Sequence, residues 1–124
     1  MATKILIADD EPNIVISLEF LMKREGFQVI LAADGDEALA AIGRERPDLV
    51  LLDVMMPRKS GFEVCQAVKS DPDLQDIKIL MLTAKGRDTE VAKGLAMGAD
   101  AYMTKPFSTR ELVSKVKHLL GLAS

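Results

Sequence analysis

Five side chains in this sequence could do chemistry together: Asp9, Asp10, Asp53, Thr83 and Lys105. Each stands at the end of a short apolar run. Lys4–Ala8 leads to Asp9-Asp10, Leu49–Leu52 to Asp53, Ile77–Leu82 to Thr83, and Ala101–Thr104 to Lys105. Brought together, three carboxylates and one ammonium leave a formal charge of -2. Such a cluster is unfavourable unless a cation joins it. Mg²⁺ restores neutrality; it takes oxygen ligands and is typically held by one or two carboxylates plus phosphate oxygens. The set therefore suits a phosphoryl group. Its transfer asks mainly for positioning and charge stabilisation, and an unhindered carboxylate can itself be the nucleophile, forming an acyl phosphate. Asp53 stands alone after its run and is the candidate nucleophile. Asp9 and Asp10 come as a pair and suit a metal. The Thr83 hydroxyl can bond one phosphoryl oxygen and the Lys105 ammonium another, while Ala84 is small and leaves the site open. Cys65 reads as a small buried helix residue and His118 as an ordinary residue of the last helix.

Taken singly, none of these residues carries the argument. Asp9-Asp10-Glu11-Pro12 reads equally as a helix start, Thr83 as a strand end and Lys105 as a surface lysine with a buried stem. The elements that must position them decide. The runs Lys4–Ala8, Gln28–Ala32, Leu49–Leu52, Ile77–Thr83 and Ala101–Thr104 read as short strands, and the continuous apolar run Leu49–Leu52 suits one buried on both faces of a parallel sheet. Between them lie helical patterns. Asn13–Glu25 carries Ile14, Leu18, Leu21 and Met22 on one stripe, with Gly26 as its stop. Asp36–Arg46 turns Ala38, Leu39 and Ile42 inward. After a loop at Lys59-Ser60-Gly61, a third helix runs through Phe62, Val64, Cys65, Ala67 and Val68. Asp88 caps a fourth that ends near Met97, with Val91, Leu95 and Ala96 inward. Ser108 and Glu111 form a capping box for the last, whose apolar face is Leu112, Val113, Val116, Leu119 and Leu120. Strict alternation argues for an α/β fold, a five-stranded parallel sheet with helices on both faces and right-handed crossovers. At this size the flavodoxin-like order 2-1-3-4-5 fits. That order gathers the five side chains at one edge, where open α/β sheets place their ligands.

The 124 residues make one ordinary domain, spanning 1–124. With 48% hydrophobic and 28% charged residues the chain folds rather than staying disordered. The net charge of -3 is interspersed, so no basic block marks a nucleic-acid surface. No apolar run approaches a membrane span. A single cysteine excludes an internal disulfide and agrees with a reducing, cytoplasmic setting. Ile16 and Phe20 lie off the core stripe of the first helix, either as scattered exposed apolars or as a partner-docking patch.

Together, Asp9-Asp10-Glu11-Pro12, Asp53-Val54-Met55-Met56-Pro57 with Gly61, Leu82-Thr83-Ala84, and Gly98-Ala99-Asp100 leading to Tyr102-Met103-Thr104-Lys105-Pro106-Phe107 make the chain resemble a receiver domain of bacterial two-component response regulators, along essentially its whole length. The resemblance implies that Asp53 takes a phosphoryl group from a sensor kinase histidine or a histidine phosphotransfer domain. It implies Mg²⁺ ligation by Asp10, Asp53 and the backbone carbonyl of Met55, with Asp9 acting through water, and a cis Lys105-Pro106 peptide. It implies that Thr83 and Tyr102 form a switch pair read out on the face of the fourth helix, fifth strand and fifth helix, and that Met55 and Lys85 tune dephosphorylation. The chain would then be a phosphorylation-controlled module that catalyses only its own phosphorylation and dephosphorylation, as a stand-alone or phosphorelay receiver. Ala101 departs from the acidic residue that dimerising DNA-binding members usually carry before the switch aromatic. The alternative is a haloacid-dehalogenase-type phosphatase, which also uses Asp, Mg²⁺, Thr and Lys; it places the nucleophile after the first strand with a second Asp two positions on, whereas here Asp9 and Asp10 are adjacent.

Overall fold

In the computed structural model, residues 3–84 and 88–122 are described. Lys4–Ala8 forms β1, Gln28–Ala32 β2, Leu49–Asp53 β3, Lys78–Ala84 β4 and Ala101–Lys105 β5. All neighbouring strands run parallel, in the order β2-β1-β3-β4-β5. Pro12–Arg24 forms α1, Gly35–Glu45 α2, Gly61–Ser70 α3, Asp88–Ala96 α4 and Thr109–Leu119 α5.

The placement of the helices follows from chain direction. From β1 the chain steps outward to β2, then back across β1 to β3, β4 and β5. With right-handed crossovers, that reversal puts α1 on one face and α2, α3 and α4 on the other. The core divides accordingly. Ile5, Ile7, Leu49 and Leu51 pack with Leu18, Leu21 and Met22 of α1 and Leu112 and Val116 of α5. Leu6, Ala8, Val50 and Leu52 pack with Ala38, Ala41 and Ile42 of α2 and Val64, Cys65 and Val68 of α3. Successive residues of β1 and β3 thus feed opposite layers, the period-2 signature of a strand, and their continuous apolar runs are explained by burial on both sides. Asp100 clamps the sheet near β4: its side chain accepts the Ile79 N–H at 2.7 Å and pairs with Lys69 at 2.9 Å, while its own N–H donates to Ile79 O at 2.9 Å.

Two local expectations are corrected. In α4, Leu95 is 45% exposed and Ala96 is exposed; Gly94 is the buried residue of that turn. A Cβ there would sit 3.6 Å from Met81 and 3.7 Å from Phe62, so the helix rides close on its smallest residue. Ala67 of α3 is exposed. The complete capping box belongs to α3, between Ser60 and Glu63, in the stretch read as loop; at α5, Ser108 accepts the Glu111 N–H. The side chains of Ala84 and Asp88, and Lys85 as a whole, lie outside the described residues.

Candidate functional site

β1 and β3 lie side by side, paired Ala8 to Leu52, so Asp9 and Asp53 emerge as neighbours. Asp9 is fixed from both sides: Oδ1 accepts the Glu11 N–H at 2.9 Å and Oδ2 takes the Lys105 ammonium at 3.0 Å. Asp10 is exposed. Carboxylate oxygens of Asp9, Asp10 and Asp53 lie within 4.8 Å of one another. Lys105 comes from the end of β5, is followed by a cis peptide to Pro106, and reaches Asp53 Oδ1 and Glu11 Oε1, each at 3.3 Å. Thr83 closes the fourth side. It is buried, one register step beyond the Asp53–Leu82 pairing.

The loop after β3 is held by its backbone. The Val54 N–H continues the sheet to Leu82 O at 3.1 Å, and the Gly61 N–H returns to Val54 O at 2.9 Å. Gly61 must be glycine, because a Cβ there would overlap the Asp53 carbonyl. Farther out, Pro57 O accepts N–H groups from Lys59 at 2.9 Å and Gly35 at 3.3 Å, which buttresses the loop against the start of α2. The Met55 side chain projects into solvent.

The electrostatics are those of crowded carboxylates. Burial first, and then the Asp9 charge, push the Asp53 carboxyl up to about 6 in spite of Lys105. Burial would lower Lys105, but its hydrogen bond to Asp9 and the charges of Asp53 and Asp9 prevail and hold the ammonium above its ordinary range. Hard oxygen donors converging on a site with surplus negative charge fit a small divalent cation. Cys65 takes no part; burial pushes its thiol up to about 11.

Every residue singled out for phosphoryl chemistry from the sequence therefore arrives at one place. Tyr102 lies on β5 two residues before Thr104, the register partner of Thr83, and is 43% exposed in a groove bordered by Phe107, Glu111 and His118. Ile16 and Phe20 lie elsewhere, on the outer face of α1, 65% and 64% exposed, with the Arg24 guanidinium 5.9 Å from the Phe20 ring centre. Glu11 and Gly61 carry more than sequence reasoning gave them. In the sequence Glu11 reads only as one of three acids in a row, not as a partner of Lys105, and a close backbone approach leaves no mark in hydropathy.

Residues 5–117 match the family profile of the response regulator receiver domain. Among solved structures, the chain is similar to the receiver domain of a signal transduction histidine kinase from Syntrophus aciditrophicus (36% identity, TM-score 0.90, covering 97% of this chain and 91% of that one). It is similar to the chemotaxis protein CheY4 of Vibrio cholerae (33% identity, TM-score 0.89, covering 96% and 99%). It is also similar to the receiver domain of a sensor histidine kinase from Pseudomonas aeruginosa PAO1, whose structure has a magnesium ion coordinated in the active site cleft (26% identity, TM-score 0.89, covering 98% and 99%).

Proposed function

The chain belongs to the response regulator receiver domains of two-component systems, and from that premise we propose that residues 1–124 form one receiver that accepts a phosphoryl group on Asp53 and changes its partner contacts in response. The observation that carries this reading is the convergence of Lys105 on Asp9 and Asp53 at the edge of the sheet, with Thr83 buried beside them.

In the mechanism, an Asp53 carboxylate oxygen attacks the phosphorus of a phosphohistidine. An acyl phosphate forms, the P–N bond breaks, and the imidazole leaves with a proton from solvent. Asp10, Asp53 and the Met55 carbonyl would hold Mg²⁺, with Asp9 helping through water. Bound there, Mg²⁺ neutralises the charge of the phosphoryl oxygens. Lys105 pairs with one phosphoryl oxygen and the Thr83 hydroxyl donates to another. Recruitment of Thr83 frees space near β5 for the Tyr102 ring, and this shifts a pre-existing equilibrium on the face of α4, β5 and α5. The donor is a sensor kinase histidine or a histidine phosphotransfer domain in the cytoplasm. The module turns over no substrate but its own phosphoryl group. Among the described residues no helix is long and apolar enough to cross a membrane.

Labelling with acetyl phosphate tests the assignment. Intact mass should show one phosphoryl adduct that requires Mg²⁺ and disappears in Asp53→Asn. An adduct that persists in the variant, or none in folded wild type with Mg²⁺, would remove Asp53 from the role.

The Ile16/Phe20 patch supports a docking role for α1. Two large apolar side chains exposed on one helix face match the anchors of a helical partner. Ile16→Asp should slow transfer from the cognate kinase roughly tenfold, as loss of an interface anchor does, and leave acetyl phosphate labelling unchanged. Equal kinase rates would dismiss the patch.

A further inference from the structure

The Lys105 ammonium has three N–H donors and, among the described residues, three carboxylate partners: Asp9 at 3.0 Å, and Asp53 and Glu11 each at 3.3 Å. A phosphoryl oxygen can engage this ammonium only if one of them yields. We propose that Glu11 is that partner: a positioning residue that holds Lys105 in its resting place and slows entry of the phosphoryl donor. The proposal rests on Asp53 being the phosphoacceptor.

The three partners differ in what binds them. Asp9 is fully buried on its side chain and its second oxygen is tied to the Glu11 N–H, so it cannot swing away. Asp53 is the reacting group itself. The Glu11 side chain is 61% exposed, so its carboxylate can turn to water at small cost. Glu11 is also the N-cap residue of α1, yet its side chain makes no cap hydrogen bond. It is committed to Lys105 and not to the helix, so replacing it leaves the helix start intact.

Charge acts in the same direction. A bound divalent cation and Lys105 together balance the three aspartates. Glu11 adds a further negative charge at the mouth of the site, where it repels an anionic donor. Removing that carboxylate should both release a Lys105 donor and ease the approach.

The test follows acetyl phosphate uptake by intact mass at saturating Mg²⁺ and subsaturating donor, for wild type, Glu11→Gln and Asp53→Asn. Acetyl phosphate bypasses any docking surface. Glu11→Gln keeps the length of the side chain and removes its charge. It should take up phosphoryl about two- to fivefold faster than wild type at low ionic strength, the scale of one exposed ion pair, and the advantage should shrink at high salt. The Lys105 ammonium protons, followed by NMR, should exchange faster with water in the variant. Wild-type or slower uptake by Glu11→Gln, with wild type labelling normally, overturns the proposal. Wild type that takes no label removes the premise, a separate and recognisable result.

Discussion

Asp53→Asn should make the metal-free protein more stable at pH 7.5, by about 1–3 kcal/mol, although it removes a contact to Lys105. The Asp53 carboxyl is 6% exposed and is pushed up to about 6 by burial and by Asp9, from an ordinary 3.8. The native state therefore binds this proton more tightly than the unfolded chain does. The contribution is complete below the unfolded value, is lost as pH rises through the native value, and is absent above it. A shift of about two units corresponds to roughly 3 kcal/mol of penalty on the ionised form. Asparagine never pays it, and Lys105 keeps Asp9 and Glu11 as partners. In urea melts with chelator, the variant should lead at pH 7.5 and the gap should close towards pH 4. Added Mg²⁺ should stabilise wild type more than the variant, because it binds the native carboxylates. A variant less stable than wild type at pH 7.5 would show that Lys105 already compensates the charge.

Gly61→Ala should cost about 2–4 kcal/mol and at least tenfold in phosphoryl uptake. The atoms nearest to its new methyl would all be backbone: the Asp53 carbonyl, and the Val54 Cα at 3.0 Å. Nothing there is a flexible side-chain end that can step aside. The end of β3 must shift, and Asp53 shifts with it; displacement of a reacting group by about 1 Å can cost a hundredfold. Gly43→Ala is the control. It lies in α2 with nothing within 4 Å of a Cβ, and it should stabilise by about 0.5–1 kcal/mol through helix propensity alone. Urea melts and acetyl phosphate labelling on both variants check the pair. Equal stability of Gly61→Ala and wild type would mean that the loop is more pliant than its contacts imply.

Much of the architecture could be read from hydropathy because the central strands β1 and β3 are buried on both faces, while the edge strands β2 and β5 are partly exposed. Runs such as Leu49–Leu52 have one physical reading in a chain of alternating elements, and the order of strands then fixes which acids meet. What escaped was set by contacts that have no periodic signal. The inward residue of that turn of α4 is Gly94, which contributes nothing to an apolar stripe, so the pattern pointed to Leu95. The Ser60/Glu63 cap was hidden by the neighbouring Lys59 and Gly61, which look like loop. Glu11 is an unexceptional acid until Lys105 arrives from the other end of the chain.

That arrival spans 96 residues between Asp9 and Lys105. During synthesis the acidic residues of β1 and β3 emerge first and must wait for the last strand to supply their only protein cation among the described contacts. A chain that stops before β5 lacks the Lys105 ammonium that contacts Asp9, Glu11 and Asp53. The Lys105 contacts to Asp9 and Asp53 are therefore acquired only with the last strand, so on the proposed role of Asp53 a chain cut before β5 should take up phosphoryl more slowly than the whole one.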